Sequence, residues 1–96
     1  MSLVSVIIPT YNRSDRVPAA VASVLEQTFR ESEVLVVDDG SSDGTAEALA
    51  PFRGRIRVLR HDQNRGVSAA RNTGIRASTA PLVAFLDSDD RWLPGK

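Results

Sequence analysis

Four short apolar runs, each stopped by polar or turn-forming residues and separated by stretches of a different periodicity, constrain the fold of this chain most tightly. Val4-Ser5-Val6-Ile7-Ile8 is nearly continuous in apolar and β-branched side chains and stops at Pro9, the pattern of a strand covered on both faces. Glu33-Val34-Leu35-Val36-Val37 repeats it. Residues 56–60 alternate as a third, less buried strand, and residues 82–86 read as a fourth buried one. Between the first two runs, Val17, Ala20, Val21, Val24 and Leu25 fall at the i, i+3, i+4, i+7, i+8 spacing of an amphipathic helix. Ser14 is placed to cap it, Asp15 to sit at its positive end, and Pro18 to occupy its first turn. Residues 45–50 read as a short helix ended by Pro51. Residues 66–77 read as a longer one with Val67, Ala70, Gly74 and Ile75 on one face.

The order β-α-β-α-β-α-β predicts an α/β fold: one mainly parallel four-stranded sheet with right-handed crossovers and helices on both faces. Ninety-six residues make one domain at most. In open parallel sheets, ligands bind at the carboxyl ends of the strands near a topological switch point. Three polar clusters fall at such ends: Thr10-Tyr11-Asn12-Arg13, Asp38-Asp39 and Asp87-Ser88-Asp89.

Composition narrows what these clusters can hold. Twelve Lys and Arg balance twelve Asp and Glu, so no net field favours nucleic acid or an anionic membrane, and an anionic ligand must be held locally. Without cysteine, and with His61 as the single histidine, thiolate chemistry and a histidine-based zinc site are excluded, which leaves hard, oxygen-ligated cations. No apolar run approaches the roughly 20 residues of a membrane-spanning helix, and the N-terminus lacks signal-peptide features. The expectation is a cytoplasmic chain, with any membrane association carried by a part of a longer protein.

Asp87 and Asp89 flank Ser88 directly after the fourth strand, so two carboxylates are brought close together. Mg²⁺ or Mn²⁺ relieves their repulsion and completes its octahedron with water and phosphate oxygens. Taken alone, the triplet is better explained as a turn, because Asp and Ser are turn formers. Asp38 and Asp39 present the same pair of readings: a turn, or an acceptor for a base N–H or a ribose hydroxyl. Asn64-Arg65-Gly66 and Arg71 supply cationic groups and a helix start for a diphosphate. Arg71 has a second reading, as a structural ion pair with an aspartate at the sheet edge. Tyr11 can lie against a planar base or simply be a half-buried aromatic. Trp92 reads as a packing residue and His61 as an exposed residue at a strand end.

Together these segments resemble the family 2 glycosyltransferases of the GT-A fold, inverting enzymes that use nucleotide-sugar donors. Residues 5–13, 33–45, 64–74 and 85–90 carry the resemblance, in the family's order and spacing across nearly the whole chain. It implies a Rossmann-like GT-A half domain, the donor-binding portion of the enzyme. By that resemblance Pro9, Thr10 and Tyr11 border the nucleobase, Asp38 and Asp39 lie beside it with Asp39 hydrogen-bonding it, and Arg71 approaches base or phosphates. Asp87 and Ser88 face the ribose or sugar, and Asp89, with Asp87, ligates Mn²⁺ or Mg²⁺. The donor it implies is a UDP-sugar and the acceptor an unknown hydroxyl.

The family's general base lies well downstream of the acidic triplet, whereas this chain ends at Lys96. The expectation is therefore a donor-binding piece that is inactive alone and that self-associates through an exposed sheet edge or face. Two alternatives remain: a non-catalytic nucleotide-binding or assembly module, and a receiver-like or dinucleotide-binding domain. The second is disfavoured because no G-x-G-x-x-G follows the first strand.

Overall fold

Strands β1 (Val4–Thr10), β2 (Ser32–Asp38), β3 (Arg57–Arg60) and β4 (Leu82–Phe85) form one sheet in the order β3-β2-β1-β4. The chain is seen here in a computed structural model that describes residues 4–26 and 32–87. All three strand pairs are parallel. Helices α1 (Val17–Leu25), α2 (Thr45–Leu49) and α3 (Val67–Ala77) connect them. The chain steps outward from β1 to β2 to β3, then α3 carries it back across the sheet to β4 on the other side of β1. The switch point lies between β1 and β4, and crevices open at such points.

Strand alternation divides the core between the two faces. Val6 and Ile8 of β1 join Val34 and Val36 of β2 under Val17, Ala20, Val21 and Val24 of α1 and Leu49 of α2. Ile7 and Val37 point the other way, toward Ala70 of α3. Each of these side chains is almost fully buried, which is why β1 and β2 read as continuous apolar runs rather than alternating ones.

Several sequence expectations shift. Pro9 does not stop β1; it pairs with Val37 inside the strand, which runs on to Thr10. Ser14 does not cap α1: Arg16 occupies the cap position without a side-chain bond, and the Ser14 N–H donates to Asp43 Oδ2 at 3.0 Å. Pro18 does lie in the first turn. Pro51 falls inside a 3₁₀ turn, Ala50–Phe52, that tightens the end of α2.

The largest departures concern α3 and β4. Val67 and Ile75 are exposed, and the buried stripe of α3 is instead made of the small residues Ala70 and Gly74. Gly74 lies so close to β1 that a β-carbon there would stand 2.5 Å from Ile7 Cγ2. Small residues let the helix approach the sheet, and that approach turns its larger apolar side chains outward. Because α3 packs on β1 and β2, β4 is left as an edge strand with Leu82, Val83 and Phe85 exposed, not the buried strand its composition suggests.

Candidate functional site

Parallel register decides which side chains meet beyond the strand ends. Thr10 pairs with Asp38 and Asp38 with Arg60, so the next residues, Tyr11, Asp39 and His61, leave the sheet side by side. On the other flank, the Leu86 N–H donates to the Ile7 carbonyl at 3.0 Å, which brings Asp87 up beside Pro9. A cleft of about 410 Å³ opens between them, within the usual size for a small-molecule site. Pro9, Thr10, Tyr11 and Arg13 form one wall and Asp39 the floor. Asn64, Gly66, Val67 and Ala70 form the second wall, and Asp87 closes the β4 side.

Asp39 is the most heavily coordinated group here. Its Oδ1 accepts from the Arg65 N–H at 2.9 Å and lies 2.7 Å from His61 Nδ1; its Oδ2 accepts from the Gly66 N–H at 2.8 Å. Burial alone would raise its pKa. The bonds from His61, Arg65 and Gly66, with the histidine's charge, outweigh that and hold the carboxyl below its ordinary range. One residue thus carries the loop before α3 on the end of β2. The loop after β2 packs equally closely against it: Gly40 has φ +79, and a β-carbon there would meet the backbone of Gln63 and Asn64 at 2.7 and 2.8 Å.

Asp38 is placed differently from its neighbour and does not line the cleft. Its Oδ1 accepts from the Ser41 N–H at 2.9 Å, and its Oδ2 accepts from Arg60 at 2.7 Å. Arg60 also donates to the Ser41 carbonyl at 2.7 Å. Of the two readings open for Asp38, this is the turn: the strand's alternation points it to the opposite side from Asp39, where the loop and Arg60 take both oxygens.

His61 corrects the sequence reading outright. Its side chain is only 10% exposed, and its Nε2 lies 2.8 Å from Thr73 Oγ1 on α3. The available signal was register: the residue after β3 must emerge beside the residue after β2.

Arg71 contacts Asp87 Oδ1 at 3.5 Å, at the limit of a hydrogen bond, and lies 5.7 Å from the centroid of the Phe85 ring. Both charged side chains are substantially exposed. The sheet-edge ion pair exists, but it is long and leaves capacity on both partners. Among the described residues, two buried polar atoms have no partner, Thr10 Oγ1 and Arg71 Nε. Such orphans are rare in folded proteins; Thr10 is a lining residue of the cleft, and Arg71 reaches it through its contact with Asp87.

Ser88, Asp89, Asp90 and Trp92 lie outside the described residues. Among the described ones, no group of three or more His, Asp or Glu side chains gathers where it could hold a metal ion. Among the described residues Asp87 is the carboxylate at the mouth, 56% exposed and only loosely engaged. A single hard oxygen donor beside a second carboxylate in sequence suits Mg²⁺ or Mn²⁺ shared with phosphate oxygens, and does not suit a cage built by protein alone. Among the described residues, no helix is long and apolar enough to cross a membrane.

Comparison with known proteins agrees with this geometry. Residues 5–96 match the family model for glycosyl transferase family 2. The chain is 42% identical over 95 residues to the Escherichia coli UDP-Glc:alpha-D-GlcNAc-diphosphoundecaprenol beta-1,3-glucosyltransferase WfgD, covering 98% of this chain and 38% of that enzyme. Among solved structures, S. aureus TarS 1–349 in complex with UDP superposes with a TM-score of 0.86 at 34% identity, over 93% of this chain and 28% of that one. The Pyrobaculum calidifontis mannosyltransferase PcManGT in complex with GDP-Man and Mn²⁺ also gives 0.86, at 31% identity and the same coverage. The chain therefore spans well under half the length of the relatives it matches, and its Rossmann-like sheet is the one found in GT-A glycosyltransferases.

Proposed function

Because the chain belongs to glycosyl transferase family 2, we propose that its cleft binds the nucleoside diphosphate of a sugar donor, as the donor half of an inverting transferase. The observation that carries this reading is the convergence of Asp39 and Asp87 on one crevice at the switch point, with Arg71 in contact with Asp87 beside it. Pro9 and Tyr11 offer flat apolar surface to a base, Asp39 an acceptor for its N–H, and Arg71 a cation for phosphate. Asp89, with Asp87, would hold a Mn²⁺ or Mg²⁺ ion shared with the diphosphate, and Ser88 would sit between them against ribose or sugar. The ion supplies charge neutralisation for the departing diphosphate.

In the transfer itself, an acceptor oxygen bonds to the anomeric carbon from the face opposite the leaving phosphate oxygen. A carboxylate takes the acceptor's proton. None of Pro9, Thr10, Tyr11, Asp39 or Arg71 is assigned that role; we place the base downstream of Lys96 and infer that these 96 residues alone transfer sugar poorly. UDP is the donor nucleotide we favour, because TarS, one of the relatives in fold, is seen with it. The exposed Leu82, Val83 and Phe85 we assign to contact with further protein: the rest of a longer chain, or a second copy when this chain stands alone. We place the chain in the cytoplasm, with any membrane association contributed by sequence outside it.

Calorimetric titration of UDP with and without Mn²⁺, repeated on Asp89→Ala, tests the site. Metal-dependent binding that Asp89→Ala weakens by at least about tenfold is expected, given the worth of a charged ligand contact. Equal binding by both proteins, or binding indifferent to metal, would overturn the assignment.

A further inference from the structure

We infer that His61 is a positioning residue for the nucleobase: it aims the Asp39 carboxylate so that one free acceptor position faces the cleft, and base selectivity depends on it. This rests on the nucleotide-binding reading above.

The strand fixes the backbone of Asp39, whose N–H donates to the Thr10 carbonyl at 2.8 Å, but it does not fix the carboxylate. The terminal torsion of an aspartate is broad, so its direction must be set by what it binds. Oδ1 has two neighbours, His61 Nδ1 at 2.7 Å and the Arg65 N–H at 2.9 Å. Oδ2 has one, the Gly66 N–H at 2.8 Å. A carboxylate oxygen accepts about two hydrogen bonds, so Oδ1 is full and Oδ2 keeps one place in a residue that lines the cleft.

His61 is itself held on two sides. Its N–H donates to the Asp38 carbonyl at 2.8 Å, and its Nε2 meets Thr73 Oγ1 at 2.8 Å. Facing an ionised carboxylate, Nδ1 carries the proton, and Nε2 meets the Thr73 hydroxyl, which can donate to it or accept from it. The relay runs from α3 through His61 to Asp39. The His61 and Asp39 side chains are 10% and 4% exposed, so water is poorly placed to substitute for a lost partner. Without the ring, Oδ1 keeps a single donor and the carboxylate is free to turn, which removes the fixed acceptor. The base this arrangement selects is one with an imino N–H, such as uracil or guanine, over cytosine, which offers a lone pair at the same position.

The test compares UDP, CDP and inorganic pyrophosphate, each with Mn²⁺, by calorimetry on the 96-residue chain and on His61→Phe, His61→Asn and Thr73→Val. The wild type is expected to prefer UDP over CDP by about tenfold, the scale of one hydrogen bond to a charged group. In His61→Phe that preference collapses to within about twofold, an amount that corresponds to no intact hydrogen bond, while pyrophosphate binding is unchanged. His61→Asn, whose amide nitrogen falls near the Nδ1 position, restores most of the preference, and Thr73→Val loses part of it. A parallel fall for all three ligands in His61→Phe, with the UDP to CDP ratio intact, would overturn the positioning role and leave the nucleotide site standing. Absence of UDP binding in the wild type would overturn both. A second readout needs no ligand: nitrogen NMR at about pH 9, where an ordinary imidazole is neutral, should find the His61 proton on Nδ1, and finding it on Nε2 would sink the proposal.

Discussion

Replacing Asp39 by Asn removes one acceptor from a carboxylate that takes bonds from His61, Arg65 and Gly66. The amide has one oxygen and one NH₂ group, so its two orientations are not equivalent. With the oxygen at the Oδ1 position, the His61 and Arg65 bonds survive and the NH₂ group confronts the Gly66 N–H. The reverse orientation confronts two donors, so the first is adopted. The variant leaves one partly buried N–H unsatisfied, at about 1–3 kcal/mol, and weakens the two surviving bonds by removing their charge. Relief from burying an ionised carboxyl offsets part of this. A net loss of about 2–3 kcal/mol is expected, consistent with the size of such single-site effects.

For a domain of this length, that corresponds to a fall in Tm of roughly 10–20 °C. Urea and thermal unfolding followed by far-ultraviolet circular dichroism measure it, and hydrogen exchange at the Gly66 amide localises it. The same orientation turns the cleft-facing acceptor into a donor, so base preference should move from UDP toward CDP. A stability loss under about 0.5 kcal/mol, within the range of ordinary surface substitutions, together with a still-protected Gly66 amide, would refute the reasoning.

Acid sensitivity should follow from the depressed carboxyls. Burial raises the Glu33 pKa, but bonds from the Ser5 hydroxyl, the Thr79 N–H and hydroxyl, and Arg57 outweigh it and bring the value to about 2; Asp43 is lowered to about 2 chiefly by the Thr45 hydroxyl. Folded values below unfolded ones mean that the unfolded chain binds more protons between about pH 4 and 2, so the stabilisation is present above that window and lost on descending through it. Unfolding free energy measured against pH should show that acid limb, and Glu33→Gln should flatten it; an unchanged limb would remove Glu33 as its source. The exposed β4 edge predicts that these 96 residues self-associate, and that Leu82→Lys, a charge on a solvent-facing edge position, reduces the association while preserving the fold. Sedimentation velocity over a range of concentrations decides it, and a wild type that stays monomeric throughout would refute it.

The strands, and the polar residues Thr10, Asp39 and Asp87 at their carboxyl ends, are legible because their signals are local. A β-branched run such as Val34-Leu35-Val36-Val37 carries its own burial, and Pro18 declares a first turn wherever the helix packs. What escaped was set by distance between elements. Ala70 and Gly74 let α3 settle against Ile7, and that proximity, invisible in the periodicity, exposes Val67 and Ile75. Leu82 and Phe85 are as apolar as any core residue, yet nothing in their own segment states that, among the described residues, α3 packs on β1 and β2 and leaves them exposed. His61 was misplaced for a related reason: its partners, Asp39 and Thr73, stand 22 residues before it and 12 after it. Asp38 and Asp39 are indistinguishable as a pair in sequence, and only the alternation of the strand separates the turn-forming carboxylate from the one in the cleft.

That same weakness of β4 explains a polar cluster at the end of the sheet away from the cleft. An edge strand of four residues, exposed on much of its surface, has little hydrophobic discrimination between registers, and a slip of one residue shifts it by about 3.3 Å and exchanges its faces. Such a slip would carry Asp87 out of the cleft. Glu33 opposes it from the amino end of β2. Its Oε2 accepts from Ser5 Oγ on β1 at 2.6 Å and from both the N–H and the hydroxyl of Thr79 at 3.0 Å, while Oε1 accepts from Arg57 on β3 at 3.1 Å. Ser5 Oγ accepts in turn from the Ala80 N–H at 3.3 Å. The turn entering β4 is thereby tied to the other three strands two residues before β4 begins, and the Leu86 bond to Ile7 fixes the same register at its end. A carboxylate at the amino end of the sheet, on the far side from the cleft, thus helps decide where Asp87 stands at the carboxyl end.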